Sequence, residues 1–268
     1  MHFGYSGEFE PVPVVTLSEF HKFKDVPLVI TDLMKTWDSY PVWNFEFFKS
    51  NFGNYGLTAD KVLNGKTHYV HTTFRQFIDY TLSCNERVPY YAKTSIHLKT
   101  DLRNQYTVPH PFKCWYKQYK RQVNEEQKIE LSCIYLGPTG AKSPLHIDIW
   151  GTSFWNALFQ GKKLWFFLTK EQHSLAYQGK VDPFNPDFAK YPDFLKVKPL
   201  IHIQQPGELI YCPGNIWHAV YIIEPSIALS ENFINEENYE YVIQHFQDYG
   251  YLKALNKMKH IVGEHLSA

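Results

Sequence analysis

The feature that constrains the fold most is a series of short apolar runs, separated by turn residues, in the second half of the chain. Seven runs rich in β-branched and aromatic residues follow one another, and glycine- or proline-containing pairs separate most of them. Short strands at such intervals are typical of a β-sandwich or barrel. The runs are Ile129–Leu136, Ser153–Phe159, Lys162–Leu168, Leu200–Gln204, Glu208–Cys212, His218–Ile223 and Ser226–Phe233. They predict a mainly β fold whose core, about 129–234, is an eight-stranded jelly roll, or double-stranded β-helix.

The part of the chain that precedes these runs mixes helical and extended patterns. Leu17–Phe23 and Asn44–Phe52 have the spacing of helices, whereas Pro27–Thr31 and Val88–Ser95 are typical of strands. Thr73 is a suitable N-cap for a further helix that ends near residue 82. We therefore expect α/β elements on the N-terminal side of the jelly roll.

The last thirty residues have a helical period. Two stretches within about 236–266 each place apolar residues on one face. Such a helical pair packs against the barrel of its own chain or forms a homodimer, and the pattern fits both equally. At 268 residues, with 44% hydrophobic residues, the chain is predicted to form one domain over 1–268.

Charge and cysteine content limit the partners. Lys plus Arg equals Asp plus Glu at 27 each, which argues against a nucleic-acid partner, since such binding rests on phosphate neutralisation. The four cysteines are widely spaced and form no CxxC pair, which predicts reduced thiols and a cytoplasmic or nuclear location. Since no apolar run approaches the roughly 20 residues that span a bilayer, we expect a soluble protein without a membrane segment.

Three side chains are candidates for a metal centre. His146 and Asp148 lie two residues apart in an extended segment, so both project from the same face. His218 follows a tight Pro-Gly-Asn turn in a later strand. Two imidazoles and one carboxylate can hold one face of Fe(II) and leave three positions open. Taken alone, a His-X-Asp pair in a chain of 13 histidines also fits a hydrogen-bonded surface pair.

Two further features near these residues bear on a binding site. If Gln160-Gly161 were a two-residue hairpin loop, Asn156 and Lys163 would share one face of the sheet, and Lys163 would lie among apolar side chains and need an anion. The alternative is that Lys162 and Lys163 are both exposed to solvent at a turn and bind no ligand. His68 and His71 are three residues apart, so a strand would point them to opposite faces, and they are not expected to bind one ion.

The order of these motifs resembles that of the JmjC-domain oxygenases of the cupin type, most closely the small phosphatidylserine-receptor-like hydroxylases. In that family a His-X-Asp motif is followed by an Asn and a Lys, then by Pro-Gly-Glu, an aromatic residue before a His, and a closing Asn-Phe. The matching positions are His146-Ile147-Asp148, Asn156, Lys163, Pro206-Gly207-Glu208, Trp217-His218 and Asn232-Phe233. The resemblance is strong over about 129–234.

This resemblance implies the cofactors and the residues that bind them. His146, Asp148 and His218 would hold Fe(II) as the catalytic metal, and Lys163 would bind the far carboxylate of 2-oxoglutarate. The remaining residues implied at the 2-oxoglutarate site are Asn156, Tyr91, Ser143, Ser230 and Asn232, with Tyr90 as an alternative to Tyr91. Ser230 and Asn232 would share a face with His218 only if a turn at Glu224-Pro225 had an odd loop length.

The activity implied is that of a 2-oxoglutarate-dependent dioxygenase, which uses O₂ and releases succinate and CO₂. Hydroxylation of a protein or peptide side chain is favoured, since the chain is short and lacks a Cys/His-rich zinc module. A JmjC-type demethylase, a tRNA-base hydroxylase, a non-oxygenase metal-binding cupin and an inactive binding module are the alternatives.

Overall fold

The computed structural model describes residues 7–63, 65–122 and 130–267. Its strands are β1 Glu10–Pro11, β2 Val14–Val15, β3 Leu28–Ile30, β4 Gly56–Leu63, β5 Lys66–Thr73, β6 Tyr91–Thr94, β7 Ser132–Gly137, β8 Lys142–His146, β9 Ser153–Phe167, β10 Leu200–Gln204, β11 Leu209–Cys212 and β12 His218–Phe233. Its α-helices are α1 Phe45–Phe52, α2 Phe74–Ser83, α3 Trp115–Gln122, α4 Tyr239–Asp248 and α5 Leu252–Leu266. Short 3₁₀ helices lie at Leu17–Lys22, Met34–Thr36, Ile96–Lys99, Asp101–Asn104, His110–Phe112, Ile149–Gly151, Lys170–Gly179 and Pro192–Lys196. Ile129, the predicted start of the first core strand, lies outside the described residues.

The strands form two layers that share the long strands β9 and β12. The larger layer has the order β2-β3-β11-β9-β12-β7-β6-β4-β5. The smaller layer has the order β1-β10-β9-β12-β8. Two sheets joined in this way by bent strands form a jelly roll. The predicted mainly β jelly-roll class is therefore confirmed.

The predicted hairpin at Gln160-Gly161 is wrong. β9 does not reverse there but pairs with β12 along its whole length, from Ser153 opposite Phe233 to Phe167 opposite His218. Gly161 has a φ of +86°, and the register shifts at this point, so the strand bends from one layer into the other. The expected turn at Glu224-Pro225 is likewise a bend within β12.

Replacing Gly161 with alanine should destabilise the fold by roughly 3 kcal/mol or more, since the left-handed backbone strain adds to a collision. A Cβ at this position would lie 2.1 Å from the carbonyl oxygen of Pro225. Gly65 is a matched control, since it also has a positive φ but a Cβ there would meet no heavy atom of the described residues within 4 Å. Urea unfolding should show a much smaller loss for Gly65→Ala; equal losses for the two variants would contradict the bend as the cause.

Successive side chains of β9 point alternately into and out of the jelly roll. Phe154, Trp165 and Phe167 belong to a cluster between the two layers, together with Ile210 and Val220. Their neighbours pack outside: one cluster covers the larger layer with the helices, and another covers the smaller layer. The interior cluster is where the candidate side chains converge.

The predicted flanking elements are largely confirmed. Asn44 and Thr73 cap α1 and α2 through their side chains. The pattern did not predict β4 and β5, since β4 buries only Leu57 and Ala59 and no residue of β5 is buried. The apolar faces of α4 and α5 pack into the core of their own chain, as in the first of the two alternatives for this helical pair. A homodimer remains a prediction, and so does the single domain over 1–268.

Two further findings concern the cysteines and the helices. Cys84, Cys114, Cys133 and Cys212 are all free thiols. In the described part of the chain, no helix is both long enough and apolar enough to cross a lipid bilayer.

Candidate metal centre

His146, Asp148 and His218 converge at one end of the smaller layer. His146 ends β8 and is paired directly with His218, the first residue of β12, and Asp148 follows two residues later. Nε2 of His146 lies 3.3 Å from Oδ1 of Asp148, and Nε2 of His218 lies 3.8 Å from the same oxygen. One ligand atom from each residue lies within 4.8 Å of the others, so a single ion can be reached by all three.

Backbone carbonyls fix the tautomer of both imidazoles. Nδ1 of His146 lies 2.7 Å from the oxygen of Pro144, and Nδ1 of His218 lies 3.0 Å from that of Ile216. A carbonyl only accepts a hydrogen bond, so both Nδ1 atoms carry the proton. Each Nε2 lone pair is therefore free to bind a metal, and this support by the backbone is typical of metal-binding histidines.

Two tight turns hold the ligands in register. The backbone N–H of Asn215, in the turn before His218, donates to the oxygen of Gly151, in the turn after Asp148. Trp150 and Asn215 both have a positive φ, of 58° and 60°. Such strain in residues other than glycine is tolerated where the surroundings fix the backbone, and it is common at functional sites.

Electrostatics place Asp148 and His218 in the states that metal binding needs. Burial and the charge of His146 lower the pKa of His218 to about 4. Burial alone would lower the pKa of His146, but the hydrogen bond and charge of Asp148 outweigh it and raise the pKa, so a metal ion would displace a proton there. Burial alone would raise the pKa of Asp148, but hydrogen bonds and the charges of the two histidines outweigh it and lower the pKa. Asp148 is thus ionised and His218 neutral near pH 7, as ligation requires. Within the described residues this is the one group of three such side chains close enough to share an ion.

Lys163 lies inside the jelly roll without an anionic partner. It is only 1% exposed, and no carboxylate among the described residues lies within ion-pair distance of its Nζ. Nζ lies 3.3 Å from the hydroxyl of Tyr91 and 5.9 Å from the ring centre of Tyr135. Burial lowers the pKa of Lys163 to about 7. An isolated buried ammonium is costly, so this position is built to meet a negative charge.

A second unsatisfied group belongs to the same interior. Oδ1 of Asn156 is buried and has no hydrogen-bond partner among the described residues. Asn156 pairs with Ser230 across the sheet, and Ser230 lies two residues before Asn232 in β12. Asn156 therefore lies on the same, interior face as Ser230 and Asn232. A buried ammonium without a counter-charge and a buried amide oxygen without a hydrogen-bond donor fit a small ligand that carries a carboxylate and is accompanied by a bridging water.

The structure separates the two tyrosine candidates. Tyr91 contacts Lys163, whereas the ring of Tyr90 lies 4.2 Å from the ammonium of Lys61 and its backbone N–H donates to Tyr80. Burial raises the pKa of Tyr91, so its hydroxyl stays protonated. Tyr91 is therefore the tyrosine that reaches the interior site.

The other candidates occupy different parts of the site. Ser143 pairs with Val220, an interior residue, so the register places it on the interior face. The hydroxyl of Ser230 donates to the backbone oxygen of Trp155 at 2.8 Å. Nδ2 of Asn232 donates to Oδ2 of Asp148 at 2.8 Å, so this amide contacts the metal carboxylate.

Sequence reasoning missed the rest of the surroundings. Phe154 packs against the imidazole of His218, with ring centres 4.7 Å apart, and Tyr135 faces Lys163. Strand alternation could have indicated Tyr135 once the pairing of β7 with β12 was known. A groove of about 540 Å³ opens beside the ligands. It is lined by Leu145, His146, Ile147, Asp148, Gly151, Gln178, Asn215, Trp217, Tyr241, Gln244, His245, Asp248 and Tyr249.

Comparisons with known proteins agree with this geometry. The model of the cupin-like domain family matches residues 15–239. The chain is 24% identical over 254 residues to the lysine-specific demethylase JMJ21 of Arabidopsis thaliana, which covers 88% of this chain and 26% of that protein. It is 25% identical over 249 residues to the bifunctional arginine demethylase and lysyl-hydroxylase psr-1 of Caenorhabditis elegans, covering 84% and 60%.

A third relative is named for its cofactors. The 2-oxoglutarate and iron-dependent oxygenase JMJD4 of Danio rerio is 32% identical over 124 residues, which cover 43% of this chain and 29% of that protein. In these three comparisons the chain spans between 26% and 60% of the relative's length.

Proposed function

The chain belongs to the cupin-like domain family, as its resemblance to the JmjC oxygenases predicted, and we propose that it is an Fe(II)- and 2-oxoglutarate-dependent dioxygenase. The reaction would hydroxylate a side chain of a protein or peptide and release succinate and CO₂. The observation that carries this proposal is a buried, unpaired Lys163 in the same interior as a two-histidine, one-carboxylate cluster. The non-oxygenase alternative, a sugar-binding or isomerase cupin, needs no buried cation in the same interior as its metal.

Each residue would have a defined role in this reaction. His146, Asp148 and His218 would hold Fe(II) on one face, and the bound iron would supply the activation of O₂. Lys163 would bind the far carboxylate of 2-oxoglutarate, with the hydroxyl of Tyr91 beside it. Asn156 has an unsatisfied amide oxygen on the interior face. Because 2-oxoglutarate carries no hydrogen-bond donor, this oxygen would accept from a water bound beside the ligand.

We assign Asn232 a positioning role instead of direct 2-oxoglutarate binding. Its Nδ2 donates to Oδ2 of Asp148 and lies 3.0 Å from the hydroxyl of Thr152. Oδ2 is thereby occupied, and Oδ1 faces both Nε2 atoms. A carboxylate held in this way would bind the metal through one oxygen and leave more coordination positions for ligands.

A protein substrate is supported by JMJ21 and psr-1, since JMJ21 is named for acting on lysine and psr-1 for acting on arginine and lysine. Demethylation is the second candidate reaction, since both of these names include it. Removal of an N-methyl group also begins with hydroxylation of a C–H bond, but it ends in release of formaldehyde. Formaldehyde and a mass increase of one oxygen atom on the substrate would distinguish the two reactions.

Succinate formation tests the proposed activity directly. The chain, reconstituted with Fe(II) and ¹³C-labelled 2-oxoglutarate in air, should form labelled succinate slowly even without a substrate, as uncoupled turnover. Product should be absent when Zn(II) replaces Fe(II), since zinc has no redox chemistry. Equal succinate with both metals, or none with Fe(II), would contradict the proposal.

The affinity for 2-oxoglutarate should fall as pH rises above 7. The pKa of Lys163 is about 7 in the unliganded fold, and the bound carboxylate should raise it, so binding takes up one proton. The dissociation constant should then increase about tenfold per pH unit above 7. Calorimetry at pH 8 in two buffers of different ionisation enthalpy would count the proton. A Lys162→Met control should keep the pH dependence, and a constant affinity from pH 7 to 8.5 would refute this role.

A further inference from the structure

The larger layer ends in a strand with a free edge. β5, Lys66–Thr73, pairs with β4 on one side and, among the described residues, with no strand on the other. Its pairing with β4 runs without a register shift, and it contains no proline. Natural sheets usually cover or interrupt an edge of this kind, since a long regular edge is a template for another strand. β2, at the opposite end of the layer, has only two residues.

The register of the hairpin shows which backbone groups this edge offers. Leu63 pairs with Lys66 across two intervening residues, and a hairpin of this length closes on a hydrogen-bonded pair. Hydrogen-bonded and non-hydrogen-bonded pairs then alternate along the strands. The N–H and C=O groups of Thr67, Tyr69 and His71 therefore point away from β4. No other described residue hydrogen-bonds to these groups.

Two exposed apolar side chains lie beside the free edge. Tyr69 is 67% exposed, and Val62, on the adjacent strand, is 56% exposed. Both lie on one face of the sheet, since Asp60 pairs with Tyr69 and Val62 follows two residues later in β4. Asp60 also pairs with Tyr91, so this face is continuous with the interior face that carries Tyr91. A partner strand would cover the apolar side chains and satisfy the backbone groups together.

A second copy of the chain fits this edge when a two-fold axis passes beside Tyr69. Tyr69 then lies opposite Tyr69 of the second copy, and Thr67 lies opposite His71. All the outward backbone groups of these residues are used, in about six hydrogen bonds. An axis at Val70 would instead require the N–H of Thr73, which already donates to Oε1 of Gln76.

The side chains of β5 are compatible with this register. Lys66 would lie opposite Thr72 of the second copy, and His68 opposite Val70, so no two basic side chains face each other. The two Tyr69 rings would form a cross-strand aromatic pair, which is among the favourable pairs of an antiparallel sheet. An axis at His68 would place two imidazoles opposite each other and lose the tyrosine pair.

We propose that two copies of this chain associate through β5, in antiparallel order about a two-fold axis at Tyr69. The larger layers of the two copies would form one continuous sheet with their interior faces on the same side. The apolar faces of α4 and α5 are already used in the core of their own chain. Contact through one strand of each copy gives a small interface, so the dimer should dissociate on dilution. The proposal does not depend on catalytic activity.

Sedimentation analysis of the full chain, from the low micromolar range to several hundred micromolar, tests the association. The wild-type chain should shift from monomer to dimer as its concentration rises. Tyr69→Lys should weaken the dimer about tenfold or more, since it removes the aromatic pair and places two like charges opposite each other. Leu252→Lys is the matched control and should leave the dimer unchanged, since Leu252 is 68% exposed but lies on the C-terminal helical pair.

Cysteine cross-linking tests the register. Tyr69→Cys should form a disulfide-linked dimer on mild oxidation, since opposite residues of a hydrogen-bonded pair have Cα atoms about 5.5 Å apart. Thr67→Cys alone should not, since its two copies would be more than about 13 Å apart. Thr67→Cys combined with His71→Cys should cross-link again. The wild-type chain, oxidised in the same way, gives the background from its four free cysteines.

Several results would overturn the proposal. One is a wild-type chain that stays monomeric throughout the concentration range. Another is a dimer that Tyr69→Lys leaves intact or that Leu252→Lys dissociates, since the contact would then lie elsewhere. Cross-linking of Thr67→Cys as efficiently as Tyr69→Cys would contradict the axis at Tyr69. Unfolding of each variant near the wild-type temperature would show that a lost dimer does not reflect a lost fold.

Discussion

Replacing Lys163 with methionine should stabilise the protein and weaken 2-oxoglutarate binding at least 100-fold in the same variant. The ammonium is buried without a counter-charge among the described residues, and burial lowers its pKa from an ordinary value of 10.5 to about 7. This penalty on folding is fully present below pH 7 and is relieved as pH rises towards 10.5. Methionine fills a similar volume, so the variant should gain roughly 2–4 kcal/mol at pH 7 without ligand. It would leave the far carboxylate of 2-oxoglutarate unpaired, and breaking one side of such a pair costs about 3–5 kcal/mol.

Two measurements check that the free energy of unfolding rises while the affinity for 2-oxoglutarate falls. Urea unfolding should show the stability gain shrinking between pH 7 and pH 9, and calorimetry should show the loss of affinity. Lys162→Met is the matched control, since the side chain of Lys162 is half-buried and paired with Glu224 at 2.6 Å. Lys162→Met should change neither the free energy of unfolding nor the affinity for 2-oxoglutarate by much. A Lys163→Met chain that unfolds more easily, or that binds 2-oxoglutarate normally, would show that Lys163 is an ordinary structural residue.

Asp148→Asn should reduce Fe(II) affinity at least 100-fold and lower succinate formation by about a factor of 1,000, since even residues that only support metal ligands contribute 10–100-fold. Asparagine keeps the size of the side chain but removes the charge that draws the ion. In the metal-free chain the variant should be somewhat less stable at pH 7, because the lowered pKa of Asp148 means that its ionised form is stabilised in the fold by the two histidines and Asn232.

Metal titration of the wild type and of Asp148→Asn measures the change in Fe(II) affinity. Unfolding of the two metal-free proteins measures the change in stability. Asp193→Asn is a suitable control, since Asp193 is exposed, pairs with Lys196 and is not part of the groove lining. The wild-type chain and the control should gain stability on addition of Fe(II), by the free energy of binding, whereas Asp148→Asn should gain far less. Equal stabilisation of wild type and Asp148→Asn would exclude Asp148 as a ligand.

The convergence of His146, Asp148 and His218 could be predicted from the sequence because strand geometry is regular. The His-X-Asp spacing places two ligands on one face wherever the segment is extended. The third ligand was indicated by a turn followed by a histidine in a predicted strand, and cross-strand pairing of His146 with His218 brings the ligands together. Lys163 was found for a similar reason, since an apolar strand face surrounds it.

Other features depend on long-range pairing that local patterns do not determine. Gly161 looked like a hairpin turn, but both halves of β9 find partners in β12, so pairing continues and the glycine makes a bend. Asn232 was expected at the co-substrate, yet its amide reaches the metal carboxylate. The docking of α4 beside Asp148 brings Asp248 and Tyr249 to the groove from about 100 residues away in the chain. No periodicity could have indicated that contact.

The central claim is that three ligands and a buried cation together hold Fe(II) and 2-oxoglutarate in one site. Anaerobic titration of the Fe(II)-loaded chain with 2-oxoglutarate tests it most directly, with the visible spectrum as the readout. A charge-transfer band should grow to saturation at one equivalent, should be absent in His146→Ala, and should require far more ligand in Lys163→Met. A wild-type chain that binds Fe(II) but develops no band at saturating 2-oxoglutarate would contradict the claim.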